Sequence, residues 1–149
     1  MQIIRTAATH KDFQALVQQL DADLAVRDGE DHAFYHQFNE STNLPNTVVG
    51  YSNGVPVACG AFKPYDENSV EIKRMYTPPS ERGKGYASQI LASLEAWAIE
   101  LGYQRCVLET GKKQPEAIAL YQKKGYQTIP NYGQYQGVEN SVCFQKIVS

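Results

Sequence analysis

A one-domain, mixed α/β fold is predicted on three grounds. Extended β-branched runs alternate with apolar stripes of helical period, each boundary carries glycine, proline or an acidic turn, and 149 residues favour one continuous core over two marginal ones. With 42% hydrophobic and 20% charged residues, the composition is that of a folding chain rather than a disordered one.

Residues 2–6 read as a short strand. Thr9 stands three residues before Asp12, an arrangement that caps a helix, and Phe13, Leu16, Val17, Leu20 and Leu24 then recur at spacings of three and four on one face. The Asp28-Gly29-Glu30-Asp31 turn ends that helix, and residues 32–38 give a short second one. Residues 46–51 and 55–63 flank Ser52-Asn53-Gly54, whose residues tolerate positive φ, so the pair reads as a hairpin. The strand at 69–76 stops before Pro78-Pro79, which cannot donate to a ladder. From Gly85 onward Ile90, Leu91, Leu94, Trp97, Ala98 and Leu101 mark a long helix that Gly102 is placed to end in the left-handed conformation. Residues 105–109 form a buried strand, Pro115 opens a further helix closed by Gly125, extended structure resumes at Tyr126, and 141–148 is the final strand. The order shows no internal repeat and no linker, so residues 1–149 are read as one domain.

Charge and cysteine usage narrow the function. A formal net charge of −2 offers no global attraction to nucleic acid or anionic lipid, so an anion site would have to be built by local geometry. Cys59, Cys106 and Cys143 are too far apart for a CxxC knuckle and odd in number, which fits a reducing compartment. The opening MQIIRTAATHKDF has no leader pattern, and no segment approaches the roughly 20 apolar residues that span a bilayer. A cytoplasmic location without membrane or nucleic-acid partners is the expectation.

The chemistry points to residues 70–87, VEIKRMYTPPSERGKGYA, where a strand passes through a tight glycine loop into a helix. The first N–H groups of a helix lack internal partners and sit at the positive end of its dipole, so this junction suits a pyrophosphate, with Gly83 and Gly85 allowing close backbone approach. A Walker A loop and a GxGxxG fingerprint are both absent.

The run Arg82-Gly83-Lys84-Gly85-Tyr86-Ala87 resembles the [RQ]-x-x-G-x-[GA] signature of the GNAT acetyltransferase family, and PEAIALYQKKGY at 115–126 resembles that family's A-x-x-L-Y-x-x-x-G-[FY] block. The resemblance extends over about residues 46–126 and implies a mixed, mostly antiparallel central sheet flanked by helices, with two strands splayed to form a notch for acetyl-CoA. It further implies that Met75, Tyr76 and Thr77 bond the pantetheine arm through their backbone and that Arg82, Gly83, Lys84, Gly85, Tyr86 and Ala87 hold the pyrophosphate. Where the family often carries an asparagine before the second block, this chain has Gln114, which stands in that place on a longer stem.

Acetyl transfer to an amine needs a base for the ammonium and an acid for the departing thiolate. Tyr121 aligns with the family tyrosine that approaches the coenzyme sulfur and is the candidate acid; the N–H of Met75 or Tyr76 is the candidate oxyanion donor. Glu71 is the first candidate base and Glu109 the second, each equally open to a purely structural reading as a strand carboxylate paired with Lys73 or Arg74.

The expected activity is therefore transfer of an acetyl group from acetyl-CoA to a primary amine, of a small molecule or of a peptide or protein, by direct attack in a ternary complex. A non-catalytic acyl-CoA-binding module of the same fold is the competing class. His32 and His36 share the i, i+4 spacing of a chelate but have no evident third ligand, so no metal is expected. Tyr126, Tyr132 and Tyr135 could line an acceptor pocket or simply pack a sheet edge. The same choice applies to Phe34, Tyr35 and Phe38, and the acidic turn at Asp28, Glu30 and Asp31 could favour a cationic acceptor. Pairing of two copies through an exposed C-terminal strand edge completes the expectations.

Overall fold

A computed structural model describes residues 1–36 and 44–149 of the chain. Strand β1 (Gln2–Thr6) leads into helix α1 (Lys11–Asp28), a 3-10 turn (Gly29–Asp31) and helix α2 (His32–His36). Strands β2 (Asn46–Ser52), β3 (Val55–Pro64) and β4 (Ser69–Tyr76) follow, then helix α3 (Tyr86–Glu100) and strand β5 (Arg105–Gly111). Helix α4 (Pro115–Lys123) and strands β6 (Gln127–Ile129) and β7 (Ser141–Ile147) close the chain. The predicted Phe38 end of α2 falls outside the described residues.

The seven strands form one sheet in the order β1-β2-β3-β4-β5-β7-β6, and every neighbouring pair is antiparallel except β4 with β5. The hairpin β2–β3 turns through Asn53 and Gly54, both at positive φ (52° and 77°), as its turn residues require. Helices α3 and α4 cover one face, where Ile90, Leu91, Leu94 and Tyr121 pack on Val48, Phe62, Val70, Leu108 and Phe144. Helix α1 covers the other, its Phe13, Leu16, Val17, Leu20 and Leu24 resting on Val49, Cys59, Ala61 and Tyr76. The apolar stripe read from the sequence is thus the buried face of α1. Arg27 on α1 pairs with Asp23 at 3.1 Å and with Glu116 on α4, tying the two helices across one end of the sheet.

Two local expectations are corrected. The residue that caps α1 is His10, whose Nδ1 accepts from Asp12 N–H at 3.2 Å, rather than Thr9. The helix begins at Lys11, so Asp12 is its second residue and lies within reach of the side chain immediately before the helix. The C-terminal strand is not a free edge over its middle, because β6 pairs with it from Cys143 to Gln145. All three cysteines are buried and free of disulfides, and among the described residues no helix is long and apolar enough to cross a membrane.

Candidate active site

The site originates in a mismatch between β3 and β4. Cys59 pairs with Tyr76 and Ala61 with Lys73, so Arg74 and Met75 together oppose the single residue Gly60. This is a β-bulge, and Arg74 takes φ of 60° to accommodate it. Gly60 leaves space for the bulge, since a Cβ there would stand 2.7 Å from Met75 Sδ. On its other side β4 pairs with β5 only at Ser69–Arg105, Val70–Cys106 and Glu71–Val107. Beyond Glu71 the two parallel strands separate, and a notch opens between them.

Two cavities meet in that notch and share Leu20, Met75, Gln114, Ala117 and Tyr121 as lining. The larger, about 290 Å³, is bounded by Met75 and Tyr76 at the end of β4, by Thr77 just beyond it, by the Arg82–Gly85 loop and by the first turn of α3. Gly83 and Gly85 adopt φ of 79° and 82°, a region that glycine enters without penalty, and a Cβ on either would meet nothing within 4 Å. Both glycines therefore set the shape of the loop, and neither is needed to clear the protein's own atoms. Gln89 N–H reaches Gly85 O at 3.2 Å, and the N–H groups of Tyr86, Ala87 and Ser88, which precede it in the first turn, are directed outward along the helix axis. Arg82 Nε donates to Thr77 O at 2.9 Å, which folds the loop back on the strand. Thr77 Oγ1 is buried and has no hydrogen-bond partner among the described residues.

Of the ten residues expected to hold the coenzyme, Met75, Tyr76, Thr77, Arg82, Gly83, Gly85, Tyr86, Ala87 and Gln114 line this cavity. Lys84 does not; it is half-exposed and its Nζ donates to Glu81 at 2.9 Å. Asp23, Glu81, Ser88 and Glu116 line the cavity without having been singled out in the sequence.

The smaller cavity, about 100 Å³, is lined by Asp28, Tyr35, Lys73, Arg74, Glu109 and Thr110 together with the shared residues. Tyr121 stands where the two cavities join. Its ring packs edge-on against Tyr126 at 5.7 Å, and burial, followed by the Glu109 charge, raises its pKa, so the phenol keeps its proton at neutral pH.

The two candidate carboxylates have different surroundings. Glu71 is 4% exposed, does not line either cavity, accepts from Tyr132 Oη at 2.7 Å and has Lys63 and Lys73 Nζ each at 3.9 Å. Glu109 lines the smaller cavity, and one oxygen, Oε2, accepts from Ser141 Oγ at 2.7 Å. Burial pushes the Glu109 carboxyl up to about 7, against the opposing pull of the Ser141 hydrogen bond, with Asp28 adding to the rise.

Among the other aromatic candidates, Tyr35 reaches the smaller cavity and its hydroxyl lies 2.8 Å from Ser141 Oγ. Tyr126 is core and donates to Glu95, Tyr132 serves Glu71, and Tyr135 is buried beside Tyr35 and Cys143. Of the acidic turn, only Asp28 reaches the cavity; Glu30 is exposed.

This geometry agrees with known proteins. The acetyltransferase (GNAT) family matches residues 13–126. A Klebsiella pneumoniae protein provisionally assigned as an acyl-CoA N-acyltransferase superposes with a TM-score of 0.84 at 33% identity, over 99% of this chain and 97% of that one. A PaiA N-acetyltransferase from Thermoplasma acidophilum, solved in complex with coenzyme A, shares the fold at a TM-score of 0.71 and 14% identity, over 99% of both chains. An IAA acetyltransferase of Azospirillum brasilense is 35% identical over 89 residues, 59% of this chain and 58% of its own. The uncharacterized N-acetyltransferase YsnE of Bacillus subtilis is 38% identical over 90 residues, 59% and 60% of the two chains. The match spans between 36% and 60% of the length of these and similar curated relatives. With a splayed sheet, a glycine loop opening a helix and a family match covering most of its length, this chain belongs to the acetyltransferase (GNAT) family.

Proposed function

We propose that this chain is an acetyl-CoA-dependent N-acetyltransferase that acetylates a small primary amine by direct attack in a ternary complex. The observation that supports this most directly is the meeting of two cavities at Tyr121, one rimmed by the outward amides of α3 and the other containing Glu109.

The larger cavity suits the coenzyme. The amides of Tyr86, Ala87 and Ser88 offer donors to a diphosphate, the backbone at Met75–Thr77, which has no β5 partner on its notch side, offers the arm a strand-like neighbour, and Thr77 Oγ1 is a buried group in need of a bond. Acetyl-CoA supplies the activated thioester carbonyl. The smaller cavity then holds the acceptor. There Glu109, with a pKa of about 7, takes a proton from the ammonium; the free amine attacks the thioester carbon, the C–N bond forms and the C–S bond breaks. Tyr121 gives its proton to the leaving sulfur and recovers the second proton that the nitrogen sheds as it becomes an amide, while the Met75 or Tyr76 N–H supports the transient oxyanion. Glu71, already held by Tyr132 and two lysines, braces the strand.

Thiol release from acetyl-CoA in the presence of a panel of primary amines tests the activity, with calorimetry of CoA binding alongside. Saturable release that requires an amine is expected. CoA binding with no release on any amine would leave only a binding module.

A further inference from the structure

The smaller cavity has a wall that the transfer chemistry leaves unexplained. Lys73 and Arg74 are sequence neighbours, which in a regular strand would point to opposite faces, yet the bulge sets both along this one cavity. Their side chains are 7% and 2% exposed. Arg74 Nη2 donates to Asp21 Oδ1 at 2.7 Å, whereas Arg74 Nε and Nη1 are buried and meet no acceptor among the described residues. Unmet donors on a buried cation are costly, and a structure that retains them calls for a group that satisfies them. Burial holds the Lys73 ammonium below its usual pKa against the opposing pull of Glu71, and an anion at the wall would favour its charged form.

Across the notch, on β5 and at the end of α1, the same cavity presents the carboxyl groups of Glu109 and Asp28. The lining is therefore polarised, cationic on the β4 side and acidic on the other, within a volume of about 100 Å³. A simple alkylamine would use only the acidic side. We propose that the acceptor is a small amino acid, held with its amine toward Glu109 and Asp28 and its carboxylate on Lys73 and Arg74. This rests on the reading of the smaller cavity as the acceptor site and specifies the chemical class that fills it. The guanidinium and ammonium fix the carboxylate end, so that the attacking nitrogen is presented to the carboxyl with the neutral-range pKa.

The test uses glycine, L-alanine and L-serine, each beside its own carboxamide, with saturating acetyl-CoA and rates corrected to the free-amine fraction. The unaltered chain is expected to favour at least one amino acid over its amide by ~10-fold or more in kcat/KM, the range of a charge-assisted hydrogen bond. Lys73→Met and Arg74→Gln are each expected to cut that preference at least ~5-fold, mainly through KM for the amino acid. Equal rates for acids and amides in the unaltered chain overturn the proposal whether or not the variants fold, while leaving acetyl transfer intact. A preference that survives both substitutions also overturns the assignment to Lys73 and Arg74. Absence of release on all six compounds, with release on another primary amine of the panel, overturns this proposal and leaves the transferase reading standing; absence of release on every amine, with CoA still bound, overturns both.

Discussion

Glu71 is buried and Glu109 half-buried, on adjacent strands, and their partners give them different chemistry. Glu71 is surrounded by a phenol and two ammonium groups, whereas Glu109 has one hydroxyl donor and the cavity. For Glu109→Gln we expect kcat/KM to fall by about 100-fold at mildly alkaline pH and the rising limb near pH 7 to vanish, read from a pH–rate profile. Glu71→Gln should leave that limb in place. The raised carboxyl also has a stability consequence. An unfolded Glu ionises near 4.5 and the folded one near 7, so the unfolded chain holds fewer protons between these values and stability declines as pH rises through them. Denaturant titrations should therefore show Glu109→Gln gaining up to about 3 kcal/mol on the parent between about pH 4 and pH 8, the energy equivalent of that shift. Tyr121→Phe should lower kcat by ~10- to 100-fold in thiol-release assays, with a smaller effect on the KM for acetyl-CoA.

The glycine loop and α3 behave as one unit, as do Gly60 and the bulge opposite it. Gly85→Ala meets no steric obstacle, but φ of 82° costs a residue with a Cβ about 1 kcal/mol, and relaxing that strain would turn the first amides of α3 away. Several-fold weaker CoA binding by calorimetry is the expected outcome. Gly60→Ala acts differently: its Cβ would lie 2.7 Å from Met75 Sδ and 2.9 Å from both Ile90 Cγ2 and Leu94 Cδ1, so overpacking of ~1–3 kcal/mol should appear in denaturant unfolding. These two glycines also show what the sequence could convey. Gly83, Gly85 and the Asn53-Gly54 turn were legible because positive φ is a local demand, and β4 and the helix boundaries followed from proline, glycine and period. The bulge was not, because nothing in Lys73-Arg74-Met75-Tyr76 announces that two residues will face one. For the same reason Arg74 and Ser141 went unrecognised as parts of the site: Ser141 lies 32 positions from Glu109, and only folding brings them together.

Elements from both faces of the sheet converge on the notch, with α1 supplying Leu20 and Asp28, α4 supplying Ala117 and Tyr121, and β4 and β5 the walls between. Arg27 fastens α1 to α4 through Glu116, at the margin of the larger cavity. A ligand seated there binds only the assembled fold, so CoA at about 100 times its Kd should stabilise the chain by about 2.7 kcal/mol, visible as a rise in Tm. The extra residue in β4 has a consequence for how such a chain can change over generations. Removing one residue at 74 or 75 would bring β4 back into step with β3 and break up the wall that Lys73 and Arg74 form together. On the proposed function, the bulge that shapes the donor side of the notch also sets the acceptor wall, so the two grips form one heritable trait and new acceptor preferences arise by exchanging side chains rather than by altering the length of this strand.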